Sequence, residues 1–374
     1  MVRVLYINGN VMKRGGIEAF MMNYFRYMDP SKVHIDFLVH GYEKGVYDDE
    51  IIADGSQIYH VPTKSRHPLK YQKALQTLFE TEHFDIVHSH LDAMSGWVLK
   101  IAKKCGVPVR IAHSHNTNHL TNNPIKRLVN EYYRKQIPRY ATDLFACSQA
   151  AGEWLFGTNA KFKVINNAID IDKYKFSEKK REAIRKQYGW NNKYVIGHVG
   201  RFDYQKNQEF LIPVLKQIRQ ECKNTVLVFV GEGKTMQFVK ESVHKNELDQ
   251  SVEFLGSRDN VNEIYNAFDV FVLPSRFEGL GIVAVEAETN GLPCLLSDQI
   301  PSDVKICDNV TMLSIQNSEC WARMLEKKVY KRNPDNFREI EKAGYSLCDE
   351  AEKLQDLYIK MMVKERKYEN CAYL

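Results

Sequence analysis

Short apolar runs alternate with amphipathic stretches along almost the whole chain. In the first part, Val2–Ile7, Val33–Val39, Gln57–Val61, Asp85–His90, Val109–Ala112, Leu144–Ser148 and Lys163–Ile165 predict strands. These runs are brief and rich in β-branched residues, as strands of a parallel sheet are when both faces are covered. Ile17–Met28, Pro68–Thr81, Ala93–Lys104 and Pro124–Tyr140 predict helices between them. In the first of these, Ile17, Phe20, Met21, Tyr24 and Met28 fall on one face. Gly106 and Pro108 end the third. After the turn Asn166-Asn167-Ala168 and the charged segment Asp170–Lys180, which reads as a domain boundary, the alternation restarts. Tyr194–Gly200, Thr225–Val230, Val252–Leu255, Val270–Leu273 and Pro293–Ser297 predict strands, and Asn207–Glu221, Thr235–Asn246 and Val261–Phe268 helices. Residues 318–330 and 335–374 read as helical. Repeated β-α units of this kind build open parallel sheets with helices on both faces. The expectation is two doubly wound α/β domains, 1–168 and 169–350, facing each other across a cleft. Ligands of such sheets bind beyond the carboxyl ends of the strands, so the cleft is the expected site.

Length and composition agree with two ordinary domains: 374 residues, 44% apolar and 26% charged. No run of eighteen apolar residues occurs, and Val2–Ile7 enters a strand directly, so neither a membrane span nor a signal peptide is expected. The eight cysteines are scattered without a C-x-x-C pair, which argues against a disulfide framework and against cysteine-bound zinc. A reducing cytoplasm is the simple expectation. The net charge of +5 is uneven: residues 1–170 hold 21 Lys/Arg against 16 Asp/Glu, and the remainder holds 31 of each. That excess is too small to argue for nucleic acid. It is compatible with an anionic membrane surface, as is the basic stretch Pro124–Tyr140, which could equally be a helix packed on its sheet.

The densest chemistry lies in residues 270–287. A buried strand, Val270–Leu273, is stopped by Pro274-Ser275, followed by Glu278-Gly279-Leu280-Gly281 and a helix that contains Glu286. Gly279 and Gly281 let backbone approach a ligand closely, and the helix amides beyond them make an anion site. A phosphate-bearing ligand with hydroxyl groups suits this stretch. Glu278 and Glu286 could form an acid/base pair, but carboxylates beside an anion site are better used on hydroxyls. Arg201 and Lys206, after the strand ending at Gly200, can neutralise a diphosphate. Further glycines end strands at Gly15-Gly16, Gly231-Glu232-Gly233 and Gly256.

His88/His90 and His113/His115 stand at alternate positions and share a strand face. Four imidazoles would suit a transition ion. The one acid near them is Asp92, and neutral histidines hydrogen-bonding a sugar are the preferred reading. Asp170-Ile171-Asp172 is a D-x-D; just past the hinge, it reads as a helix-capping or linker feature rather than an ion site. No G-x-G-x-x-G follows the first strand, which disfavours a dinucleotide oxidoreductase.

In order and spacing these motifs resemble the retaining family 4 glycosyltransferases of the GT-B fold, which pairs two Rossmann-like domains. Glu278-Gly279-Leu280-Gly281 with Glu286-Ala287 matches their E-x7-E signature. Ala146-Cys147-Ser148, Ile165–Asp170, Gly200-Arg201 with Lys206, Gly231–Gly233 and Phe254–Gly256 extend the match. Arg110–Asn116 and Ile165–Asp170 resemble the bacterial capsular and exopolysaccharide branch. The resemblance implies sugar transfer from a nucleotide-sugar donor, most often UDP-linked, to a lipid-linked saccharide at the inner face of the cell membrane. It implies no metal and no cofactor. Arg201 and Lys206 would hold the donor diphosphate, and the amides of Gly279, Leu280 and Gly281 its distal phosphate. Glu286 would bind the ribose, and Glu278 the donor sugar. The backbone at Gly256 would read the base, and Gly16 would cover the phosphate from the acceptor-side domain. The sugar-facing histidine falls at Ser114, leaving His113 and His115 as equal candidates. Helix 351–374 would cross back to complete the first domain. The family's Asn-Gly at the hinge is Asn167-Ala168 here, and no role carries over onto Gln299–Asp303. A nucleotide-sugar epimerase of the same fold, or a non-catalytic nucleotide-sugar-binding protein, would share most of these features.

Overall fold

The computed structural model describes residues 1–64, 66–119, 121, 123–327 and 331–372. Two compact units divide the chain: Met1–Ala168 with Leu347–Leu374, and Ile169–Ser346. Each is built on one parallel sheet.

The first sheet holds β1 (Val2–Ile7), β2 (Val33–His40), β3 (Ile58–Val61), β4 (Ile86–Ser89), β5 (Val109–Ser114), β6 (Asp143–Ala146) and β7 (Lys163–Val164). Their spatial order is β3-β2-β1-β4-β5-β6-β7. Side chains of β1 alternate between two cores, Val2, Val4 and Tyr6 entering one and Leu5 and Ile7 the other. This period of two on a strand buried on both sides explains the continuous apolar run. One core lies against helix Gly16–Tyr27 and the C-terminal helix Leu347–Ala372, which supplies Leu347, Ala351, Leu354, Tyr358, Met361 and Met362. The other lies under helices Pro68–Glu82, Ser95–Lys104 and Gln149–Phe156.

The second sheet holds β8 (Tyr194–Val199), β9 (Thr225–Val230), β10 (Val252–Phe254), β11 (Val270–Leu273), β12 (Cys294–Ser297) and β13 (Val310–Leu313), ordered β10-β9-β8-β11-β12-β13. The strand order reverses between β8 and β11. Their carboxyl ends are therefore neighbours at a topological switch point, where ligands of such sheets bind.

Several expectations are corrected. The charged segment Asp170–Lys180, which directly follows the division of the two units at Ala168/Ile169, is itself folded. It forms helix Ile171–Tyr174 and opens helix Glu178–Tyr188, whose Arg181 and Arg185 donate to carbonyls at the end of helix Val261–Ala267: Arg181 to Asn266 at 3.0 Å and Phe268 at 2.8 Å, Arg185 to Ala267 at 2.8 Å. Cations there complement the helix dipole and satisfy its last carbonyls. Asp170 precedes helix Ile171–Tyr174, but its side chain makes no capping bond and pairs with Lys173 at 3.0 Å. Strand β5 runs on to Ser114, so His113 lies inside the sheet. Strand β13 and helices Asp48–Ala53 and Gln149–Phe156 are additional to the expected elements. The helix expected over 318–330 is described as Ser318–Lys327, with 328–330 outside the described residues. The helical tail is two helices, Phe337–Lys342 and Leu347–Ala372, and residues 373–374 lie outside the described residues.

Candidate active site

At the switch point of the second unit, Lys206 and Glu278 meet across 72 residues of sequence, Nζ to Oε1 at 2.6 Å. The loop after β8 is tied to the loop after β11 by one backbone and one side-chain bond: Arg276 N donates to Gln205 O at 2.8 Å, and Asn207 Nδ2 to Pro274 O at 3.1 Å. Glu278 also accepts from Ser275 Oγ at 2.7 Å and Gln205 Nε2 at 3.0 Å. A carboxylate this buried needs such partners. Arg201 lies nearer solvent, its side chain 61% exposed, and pairs with Asp203 at 2.8 Å. Asp203 in turn accepts from the amide of Lys206 at 3.1 Å, so one acid orders both cations.

Gly281 precedes helix Ile282–Thr289 at φ +96, in the left-handed region that only glycine adopts freely. It carries the chain from the loop after β11 into the helix, and its carbonyl accepts from the amide of Ala284 at 2.8 Å. Gly279 and Leu280 complete the turn, with Leu280 buried. Beyond β9, Gly231 has φ +134, and a Cβ there would collide with the carbonyl oxygen of Gly200. Its amide donates to Gly256 O at 2.8 Å. The glycine loops after β8, β9 and β10 are thus packed against one another by backbone.

Glu286, one turn into the helix, accepts from Tyr265 Oη at 2.8 Å and Tyr174 Oη at 3.1 Å. Burial pushes its carboxyl up to about 7, against the pull of those hydrogen bonds. Motif reading missed Tyr174, Tyr265, Gln205 and Ser275. Ser275 and Gln205 are adjacent to the motif residues, and that proximity was the available signal. Tyr265 lies in helix Val261–Ala267 and carried none.

The histidines belong to the first unit. His88 Nε2 and His113 Nδ1 are 3.0 Å apart, and His90 Nδ1 and His115 Nε2 2.8 Å apart. His88 stacks on His90 and His113 on His115, with ring centroids 4.2 and 4.1 Å apart. Phe20 packs on His90, His113 and His115, and Tyr358 Oη of the C-terminal helix bonds His88 Nδ1 at 2.6 Å. Burial holds all four rings neutral, His115 with its value lowered to about 3. Nitrogens of His88, His90 and His113 lie within 4.8 Å of one another. His88 and His113 are coplanar within 6°, however, and meet nitrogen to nitrogen. That is hydrogen-bond geometry; an ion between head-on nitrogens would need them about 4 Å apart. His113 is fully enclosed and His115 keeps 7% exposure; His113 Nε2 and His115 Nδ1 each have no partner among the described residues. Gly16 is the exposed first residue of helix Gly16–Tyr27.

Comparison with known proteins gives the family and the fold. The family model "Glycosyltransferase Family 4" matches residues 14–173, and "Glycosyl transferases group 1" matches residues 180–339. The putative glycosyltransferase EpsF of Bacillus subtilis (strain 168) is 34% identical over 342 residues, covering 89% of each chain. The chain belongs to the family 4 glycosyltransferases. An Escherichia coli relative, UDP-Gal:alpha-D-GlcNAc-diphosphoundecaprenol alpha-1,3-galactosyltransferase, is 26% identical over 371 residues, covering 94% of this chain and 95% of its own. Among solved structures, Anabaena Alr3699/HepE in complex with UDP and glucose aligns over all of both chains with a TM-score of 0.74 at 19% identity. Sucrose-phosphate synthase from Thermosynechococcus elongatus aligns over 97% of this chain and all of its own, with a TM-score of 0.80 at 17% identity. These two share the GT-B fold with this glycosyltransferase.

Proposed function

We propose that this glycosyltransferase moves a sugar from a UDP-linked donor to a lipid-linked saccharide of a surface polysaccharide, with retention at the anomeric carbon. The observation that carries the reading is the pairing of Lys206 with Glu278 beside the Gly279–Gly281 turn. In this reading Lys206 and Arg201 neutralise the diphosphate, and the amides of Gly279, Leu280 and Gly281 take its distal phosphate. Glu286, oriented by its two tyrosines, accepts the ribose hydroxyls, and Gly256 borders the base. Glu278 faces the donor sugar, and its link to Lys206 joins sugar recognition to phosphate charge. Gly16 is assigned to the phosphate. His115, which keeps 7% exposure where His113 has none, is better suited than His113 to take a substrate hydroxyl.

The acceptor hydroxyl attacks the anomeric carbon from the face on which the diphosphate departs. The bond from C1 to the phosphate oxygen breaks, and the hydroxyl proton passes to that oxygen. Charge on the leaving group is met by Lys206, Arg201 and the helix amides, so the chemistry calls for no metal or cofactor.

Support for the lipid-linked acceptor comes from the Escherichia coli relative, whose name gives alpha-D-GlcNAc-diphosphoundecaprenol as acceptor, and from helix Pro124–Tyr140. Ile125, Leu128, Val129 and Tyr132, at i, i+3, i+4 and i+7, are all exposed, and Lys126, Arg127, Lys135 and Arg139 are exposed around them. Such a face fits the interface of an anionic membrane at its cytoplasmic side. No helix among the described residues is long and apolar enough to cross one.

The test is nucleotide release from a panel of UDP-, GDP- and ADP-sugars, with and without a diphospholipid-linked saccharide. Acceptor-dependent UDP release is expected, with a product that keeps the donor's anomeric configuration by NMR. Release from none of the UDP-sugars sinks the donor assignment, and an inverted product sinks retention.

A further inference from the structure

The turn that follows β4 contains a feature the motif reading leaves unused. Asp92 has φ +47, left-handed backbone that a residue other than glycine seldom adopts. This conformation turns its carboxylate toward the loop after β5. There Oδ1 accepts from the backbone amide of His115 at 2.7 Å, and Oδ2 accepts from Asn116 Nδ2, also at 2.7 Å. Both carboxylate oxygens therefore hold one dipeptide. The ring of His115 is held separately, by His90 Nδ1 at 2.8 Å from its Nε2, and is flanked by His113 and Phe20.

With its amide and Nε2 both engaged, His115 has one unspent group, Nδ1. That nitrogen is buried and has no partner among the described residues, on a side chain with 7% exposure. His90 Nε2 and His113 Nε2 in the same cluster also have no partner among the described residues, but their residues are 1% and 0% exposed, so His115, at 7%, is the one of the three nearest solvent and the best placed for a ligand to complete. A hydroxyl completes it in either tautomer, because it can donate or accept.

We propose that Asp92 is a positioning residue for His115, clamping its backbone so that Nδ1 is presented to a saccharide hydroxyl during transfer. The inference rests on the reading of His115 as a substrate contact. Asp92 does not itself touch the reacting atoms. It removes the freedom of the loop that carries the histidine, and a misplacement of that ring by an ångström would be felt in turnover rather than in nucleotide binding.

A double-mutant cycle on the full chain tests it. Asp92→Ala should lower kcat at least tenfold, with UDP affinity by calorimetry unchanged. Asp92→Asn should recover part of that loss, since Asn tolerates left-handed backbone and its oxygen can still accept from the His115 amide. In a His115→Ala background, Asp92→Ala should cost nothing further, because the two changes remove one device. A wild-type kcat for Asp92→Ala, or an undiminished Asp92 effect without His115, overturns the inference while leaving the role of His115 standing. A wild-type kcat for His115→Ala removes that role, and the inference with it. If Asp92→Ala does not fold, the cycle is run with Asp92→Asn, whose kcat loss must likewise vanish in the His115→Ala background.

Discussion

Lys206 Nζ lies 2.6 Å from Glu278 Oε1, and both side chains are largely buried. The ammonium therefore has two tasks: it neutralises a carboxylate in the protein as it stands, and in the proposed reaction it also meets the donor diphosphate. Lys206→Ala should lower turnover about 100-fold or more, the scale of losing one preorganised charge at a reacting centre. It should also destabilise the second unit by about 3 kcal/mol by leaving Glu278 without its cation. Adding Glu278→Ala should restore stability and leave the enzyme inactive. A transfer assay with a thermal melt separates the effects, and near-normal transfer by the single variant would falsify the assignment.

Tyr265 and Tyr174 each donate to one oxygen of Glu286. Tyr265→Phe should weaken UDP binding about fivefold, the size of one lost hydrogen bond. Calorimetry reads this directly. A double Tyr174→Phe, Tyr265→Phe variant with wild-type affinity would show that the tyrosines do not orient the carboxylate for a ligand.

Glu288 is buried near the end of helix Ile282–Thr289 and accepts from the amides of Ile306 at 3.1 Å and Cys307 at 2.9 Å. Burial pushes its carboxyl from 4.5 up to about 8. A carboxyl raised in the folded state favours folding fully below the unfolded value and loses that contribution as pH rises through the folded one. Wild-type stability should therefore fall relative to Glu288→Gln between about pH 4.5 and pH 8, by on the order of a few kcal/mol. Parallel melts of the two proteins across that range check the sign, and equal pH profiles refute it.

Leu128 and Ile125 are each 73% exposed on the basic helix. Replacing both with Glu should abolish co-sedimentation with phosphatidylglycerol vesicles while leaving UDP affinity intact. Wild-type binding should weaken with added salt, as attraction between exposed charges does. Equal sedimentation of variant and wild type would exclude this helix as the contact.

The parallel strands were legible because burial on both faces turns each into a short apolar run. Strand β13, Val-Thr-Met-Leu at the edge of its sheet, is half-buried and gave a weaker pattern. Helix Glu178–Tyr188 was not among the expected elements because its sequence is highly charged, yet two of those charges, Arg181 and Arg185, hold the end of another helix. Glu278, Lys206 and the glycine turn could be found as a motif. The tyrosines that hold Glu286 could not. The contact of Tyr174 with Glu286 spans 112 residues and depends on how two helices pack. Asp92 was visible as an acid near the histidines, but its left-handed backbone and its grip on the next loop are properties of the folded chain.

The first unit takes six buried side chains, from Leu347 to Met362, out of the final helix. Its core therefore cannot close while the ribosome is still making the second unit, whose own residues end at Ser346. The order of synthesis and the order of completion are reversed: the portion translated first is finished last, and until then an apolar sheet face stays open to chaperones. Protease protection of stalled nascent chains should appear over residues 169–346 before it appears over residues 1–168.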